Sequence, residues 1–329
     1  AHCVDAETGK ELWQTEISNR FNDEWGAGPR STPFSDGEKV YVQSCDGEFR
    51  CLDFKTGKSV WGFNFANYGV KFLGSRAREG TASRRGNSGS GILDGDAVIV
   101  PVGSTDGATL VCLDKNDGTL RWKSGNDEAA YSSVAIADIA GARQVIFFNA
   151  EGLTGTDRIT GKQLWRVPLV TNAKRHTMTP VIDGNRIFVN SHTLGTICFE
   201  VVNDGGRFSA VEKWRNREMR INLATPVLVK GFLYSHGPGK EFVCMDARTG
   251  ETKWMEQGFG ERLSSTLAAG DLLFVLADSG EGVLVRPNGE KYEEVVRTQL
   301  VGRNWNFPAL ANGKLLVRDQ RELVCYEAN

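Results

Sequence analysis

Seven cysteines, four histidines and polar side chains scattered through glycine-rich loops are the residues of this chain whose types suit chemistry. A zinc site needs Cys or His paired at short, fixed spacing. There is no C-x-x-C, and no two histidines stand four residues apart, so no metal site is assigned. Asp114-Lys-Asn116-Asp117-Gly118 resembles a calcium loop in composition, yet the same residues suit a tight turn, which is the reading adopted. Asn87-Ser88-Gly89-Ser90-Gly91 lacks the spacing of a nucleophile elbow and leads into a strand rather than a helix. His176, His192 and His236 fall in loops and read as surface residues. No nucleophile, base and orienter stand out together, so no catalytic residue is assigned.

The elements that position these residues emerge from a repeat. Cys3-Val-Asp5-Ala-Glu-Thr8-Gly9-Lys-Glu-Leu-Trp13 returns as Cys51-Leu-Asp53-Phe-Lys-Thr56-Gly57-Lys-Ser-Val-Trp61. Further copies run through Cys112, Asp114, Gly118 and Trp122, through Gly155, Asp157, Gly161 and Trp165, and through Cys244, Asp246, Gly250 and Trp254. Worn copies follow Cys198 and Val285, and Cys325-Tyr-Glu327 begins another. The seven steps from Cys3 to Cys325 average about 46 residues, the period of propeller blades. Every part of the motif has a physical reason. Asp and Thr side chains bond the turn, Gly supplies positive φ, and Trp fills the wedge between sheets. The six cysteines in the common slot read as small buried hydrophobes, and Cys45, out of register, is not expected to bond Cys51 across the sheet.

Two further strands precede each motif. The clearest pair is Lys39-Val-Tyr-Val-Gln43, then Asp46-Gly47, then Glu48-Phe-Arg-Cys51-Leu, where Asp-Gly between alternating runs marks a hairpin. Four short antiparallel strands per repeat, without helical periodicity, predict an all-β fold, a β-propeller of four-stranded antiparallel blades occupying residues 1–329 as a single domain. Eight blades with the first incomplete is the preferred count, since the chain begins midway through a repeat; seven is the alternative.

A propeller binds ligands where the loops approaching each innermost strand converge. Those loops carry Arg30, Asn87, Tyr131, His176, Asn222, Arg262, and Asn304 with Trp305. They differ from copy to copy and are rich in hydrogen-bonding groups, unlike positions kept for packing. The 61 residues from Trp61 to Trp122 are the longest spacing between indole markers, and the extra loop holds Lys71, Arg76, Arg78, Arg84 and Arg85 against Glu79 alone. With Arg30 and Arg262, this predicts one positive end of the axial channel, suited to a carboxylate, phosphate or sulfate. Trp305 offers an apolar platform for a sugar or quinone ring, and Trp25 is expected at the same rim.

Formal charge is −2, with 39 basic and 41 acidic residues, which gives no support for nucleic-acid binding. No apolar run approaches the roughly 18 residues of a membrane span. The chain opens in strand-like sequence, so any export leader is expected to have been removed or never present.

The Asp-x-x-Thr-Gly-x-x-x-Trp repeat resembles the tryptophan-docking motif of quinoprotein-like propellers, which include PQQ-dependent alcohol dehydrogenases and BamB outer-membrane assembly lipoproteins. The resemblance covers essentially the whole chain. It implies a periplasmic or secreted protein that acts as a non-catalytic scaffold for a protein partner or a small anionic or sugar-like ligand, without a cofactor. The alternative it implies is a dehydrogenase of alcohols or sugars that binds PQQ with Ca²⁺, with Arg30, Arg85 and Arg262 on cofactor carboxylates and Trp305 stacked on the ring. Catalytic members carry an adjacent Cys-Cys pair beside the quinone, and this sequence has none.

Overall fold

The structure is a computed structural model that describes residues 1–23, 26–71, 86–171 and 173–328. Its strands, in chain order, are β1 (His2–Val4) and β2 (Glu11–Gln14), the short β3 (Asn22–Asp23) and β4 (Gly26–Ala27), then β5 (Phe34–Ser35), β6 (Lys39–Gln43), β7 (Glu48–Asp53) and β8 (Ser59–Asn64). Next come β9 (Ile92–Asp94), β10 (Ala97–Val100), β11 (Leu110–Asp114) and β12 (Leu120–Ser124), followed by β13 (Ala135–Ile139), β14 (Ala142–Asn149), β15 (Gly152–Asp157) and β16 (Gln163–Pro168). The remainder are β17 (Val181–Asp183), β18 (Arg186–Ser191), β19 (Gly195–Asp204) and β20 (Arg207–Asn216); β21 (Val227–Val229), β22 (Phe232–His236), β23 (Glu241–Asp246) and β24 (Thr252–Gln257). Last are β25 (Ser264–Ala269), β26 (Leu272–Ala277), β27 (Glu281–Val285) and β28 (Glu294–Gln299), then β29 (Ala309–Ala311), β30 (Lys314–Arg318) and β31 (Leu323–Glu327).

Each consecutive group from β5 onward forms one sheet in sequence order, six of four strands and a last one of three. These are the seven blades of a β-propeller fold. The count is the smaller of the two expected, because β1 and β2 pair only with each other among the described residues and have no inner strands there. The one helix among the described residues is a 3-10 turn at Phe65–Tyr68. Contacts divide the chain into two compact units, Ala1–Asn185 with Val201–Val211, and Arg186–Glu200 with Glu212–Asn329.

The motif folds the same way wherever it is well kept. Asp53 accepts the Thr56 N–H at 2.8 Å and the Thr56 hydroxyl at 2.7 Å, and Gly57 N–H closes the turn on the Asp53 carbonyl. The ladder then slips by one residue between Cys51 and Leu52, a bulge repeated between Cys112 and Leu113 and between Cys244 and Met245. The indole that follows reaches the next sheet. Trp61 Nε1–H donates to the Lys115 carbonyl at 3.1 Å, Trp122 to Arg158 at 3.1 Å, and Trp254 to Asn288 at 2.8 Å. Trp165 is the exception, donating to Gln144 Oε1 within its own sheet.

The turn glycine has a second role that sequence alone does not show. Gly118 has φ +75° and Gly161 +73°, as a positive-φ turn requires. Their bare Cα faces are also the seats of the preceding sheet's indole: a Cβ on Gly118 would sit 2.7 Å from Trp61, and one on Gly161 2.7 Å from Trp122.

Between sheets the core is apolar. In the first unit Tyr41, Phe49 and Cys51 pack on Val98 and Val100, and Cys112 and Trp122 on Val145 and Phe147. In the second, Tyr234, Phe242 and Cys244 pack on Leu273 and Val275. None of the seven cysteines is in a disulfide. Cys51, Cys112, Cys198 and Cys244 are buried as expected; Cys3 is half-buried and Cys325 exposed, because each lies in a sheet short of strands.

Candidate functional site

The approach loops meet the ends of the second strands, and within each unit the structure shows what holds them. In the first unit, Gln43 at the end of β6 donates Nε2–H to the carbonyls of Asn87 at 3.3 Å and Gly89 at 3.1 Å. Asn87 N–H in turn donates to the Cys45 carbonyl at 2.9 Å. His176 is fully buried, stacked on Phe148 at 3.9 Å, with Nδ1 2.6 Å from the Asn149 carbonyl. Tyr131 is half-buried and its N–H donates to the His176 carbonyl. Arg30 lays its guanidinium over the Phe21 ring, 5.1 Å from the centroid. Arg85, with Arg76, Arg78, Glu79 and Arg84, lies outside the described residues, as does Trp25.

In the second unit, Asn304 is buried; its N–H donates to the Asp278 carbonyl at 3.1 Å. Arg262 is exposed along its side chain while its N–H donates to Asp278 Oδ2 at 3.1 Å. Asn222 is exposed, and Trp305 is 42% exposed. The predicted residues therefore divide. Asn87, His176 and Asn304 use hydrogen bonds to fasten loops onto sheets, whereas Asn222, Arg262 and Trp305 present side chains to solvent.

Two expectations need correcting. His176 and His236 are buried residues, not surface ones, because each fills the joint between a loop and a strand end. His236 Nδ1 lies 3.2 Å from the Ser264 hydroxyl, and burial holds its pKa below the ordinary value, which favours the neutral imidazole. The nearby Asp278 carboxylate accepts from the main-chain N–H groups of Glu261 and Arg262.

Sequence reasoning missed the polar residues that end the second strands. Asn149 Oδ1 accepts from Glu151 and Gly152 N–H, and its Nδ2–H donates to Asp127 at 3.1 Å. Asp319 accepts three main-chain N–H groups, from Arg321, Glu322 and Gly302, and these hold its carboxyl below the usual range. The available signal was a polar residue just ahead of each hairpin turn, as in Gln43-Ser44 and Asp278-Ser279.

The basic rim expected from composition rests mainly on residues outside those described. Two basic residues of the first unit are paired. Arg166 bonds Asp127, and Lys174 bridges Glu151 at 2.6 Å and Glu128 at 3.3 Å. A cavity of about 120 Å³ in the first unit is lined by Lys71, Asn87, Ser104 and Glu128, among others.

Among the described residues no three His, Cys, Asp or Glu side chains gather to hold a metal ion. In the calcium-like run, Asp114 Oδ1 accepts the Asn116 N–H at 2.8 Å, its Oδ2 binds Arg121 at 2.6 Å, and Asp117 caps Thr119. Those carboxylates already serve the turn.

The propeller fold recurs in solved structures. The solved structure of BamB from Moraxella catarrhalis matches with a TM-score of 0.63 at 15% identity, covering 96% of this chain and 85% of that one. Apo AztD from Citrobacter koseri matches with a TM-score of 0.61 at 11% identity, covering 99% and 88%. At such identities these likenesses speak for the fold alone. By sequence, the outer membrane protein assembly factor BamB of Yersinia pestis is 22% identical over 94% of this chain and 76% of that protein. Residues 1–256 match the family model described as outer membrane protein assembly factor BamB, and through that match the chain belongs to the BamB family of PQQ-repeat β-propellers.

Proposed function

We propose that residues 1–329 act as one propeller domain, a non-catalytic scaffold of the cell envelope that holds a protein partner during outer-membrane assembly. The observation that carries this reading is how the approach-loop residues are used: Asn87, His176 and Asn304 make hydrogen bonds that fasten the loops to the sheets. Family membership supports the same reading over the dehydrogenase alternative. That membership supports a periplasmic or secreted location. No helix of the described residues is long and apolar enough to cross a membrane.

A small anionic or sugar-like ligand is a second reading. It is favoured by the cavity at Lys71 and Asn87, whose polar lining suits a carboxylate or a hydroxylated ring. Incubating the full chain with PQQ and Ca²⁺ and following dye-coupled oxidation of alcohols and sugars separates scaffold from enzyme. The scaffold reading expects no turnover and an unchanged quinone spectrum. Cofactor-dependent oxidation contradicts it.

A further inference from the structure

Three approach loops of the second unit, residues 217–226, 258–263 and 300–308, carry mainly one kind of charge. Their charged side chains are Arg217, Arg220, Arg262 and Arg303 against Glu218 and Glu261, and all six are exposed. Glu261 is already matched, since Lys240, in the turn between β22 and β23, bridges it at 2.8 Å. The Lys240 ammonium holds the Glu261 carboxyl below its ordinary value, and the charge of Arg303 adds to the effect, so Arg303 stands within electrostatic reach of Glu261. Among the described residues no ion pair involves Arg217, Arg220 or Arg303.

Two of these loops are fixed to one turn. Asp278 follows β26 and is buried. Its carboxylate accepts the Glu261 N–H at 2.8 Å and the Arg262 N–H at 3.1 Å, while its carbonyl accepts the Asn304 N–H at 3.1 Å. The bonds take main-chain atoms of both loops, so the exposed side chains of Arg262, Arg303 and Trp305 are mounted around a single turn without anchoring it themselves. Mounting side chains on a fixed backbone lowers the ordering cost of engaging a partner. Arg and Trp are also the residue types that protein interfaces favour. A guanidinium offers a planar fork to a carboxylate, and an indole offers its face to an apolar or aromatic side chain.

Four guanidiniums spread over three successive approach loops complement several carboxylates along a chain rather than one small anion. We infer that this arginine rim of the second unit is the docking surface for an extended acidic segment of a protein partner, with carboxylates on Arg262 and Arg303 and an aromatic side chain on Trp305. The inference rests on the scaffold reading and deepens it by naming the chemistry of the partner.

The test follows the fluorescence anisotropy of a fluorescein-labelled peptide, Glu-Glu-Phe-Glu-Glu-Phe-Glu-Glu, titrated with the full chain. The expected result is binding that weakens as salt rises from about 50 to about 500 mM. Arg262→Glu and Arg303→Glu should each weaken it about tenfold or more, with an unchanged circular dichroism spectrum. Arg248→Glu, in the turn between β23 and β24 at the far end of the same unit, should leave it as it is. Trp305→Ala should abolish the advantage of this peptide over one with Ser in place of Phe. Absence of salt-sensitive binding to the parent chain overturns the inference, as does binding that both Arg→Glu variants retain in full. Displacement by citrate at the concentration at which unlabelled peptide displaces also overturns it, because one small anion would then suffice. The scaffold reading fails separately, on quinone-dependent oxidation: a chain that neither oxidises nor binds the peptide is a scaffold that uses another surface.

Discussion

Gly161 shows how much one residue carries. Its φ of +73° would strain any L side chain, and its bare face seats the Trp122 indole. Gly184 has φ +57° but open space around it, so it isolates the conformational cost. Gly184→Ala should cost about 1–2 kcal/mol of stability. Gly161→Ala adds overpacking against the ring and should cost about 2–5 kcal/mol. Denaturant unfolding of the two variants separates the effects; equal losses would mean that the seat contributes nothing. Thiols make a second comparison at this scale. Burial pushes Cys51 and Cys112 up to about 11 and Cys244 up to about 12, so all three stay protonated and shielded at neutral pH. Native alkylation should therefore label Cys325 and Cys3 well before these three.

Between elements, charged groups hold neighbouring sheets together. Asp94 ends β9 and accepts from Arg143 on β14 at 2.5 Å and from Arg158, beyond β15, at 2.8 Å. Hydrogen bonds from the Arg143 guanidinium, followed by those from Arg158, hold its carboxyl below the usual carboxylate range. A depressed carboxyl pKa stabilises the fold above the unfolded value of about 4, and that stabilisation fades as pH falls through the folded pKa. Asp94→Asn, which leaves the buried Arg158 short of a partner, should cost about 3 kcal/mol at neutral pH. The gap from the parent chain should close in acid. A gap independent of pH would contradict the pairing. His236 titrates in the opposite sense. Burial lowers its pKa, so its contribution is complete above the ordinary histidine value of about 6.5 and declines as pH drops below it. His236→Gln should flatten the stability profile below about pH 6.5, read from unfolding midpoints measured on the acid side.

Over the whole molecule, the fold is more legible in the sequence than the site, for a physical reason. The repeat writes its turn chemistry in residue types: Asp53, Thr56 and Gly57 are what such a turn needs, and each bond they imply is present. The fate of the approach loops depends instead on where their polar atoms find partners, and no residue type announces that. Histidine in a loop reads as surface, yet His176 is stacked on Phe148 beneath the chain. Blade number is ambiguous in the sequence because strand content, not motif count, decides it: Cys3 and Trp13 complete a motif but lie in a sheet of two strands. Analogy with its counterparts predicts a buried Cys325, and it is exposed in a sheet of only three strands.

The scaffold account is tested most directly by placing a photo-crosslinking amino acid at the exposed Trp305 and Arg262 positions of the full chain in its own cells. Illumination should yield one discrete adduct that mass spectrometry identifies as an outer-membrane assembly protein. Illumination that yields no adduct at either position, together with PQQ-dependent oxidation by the purified chain, would contradict it.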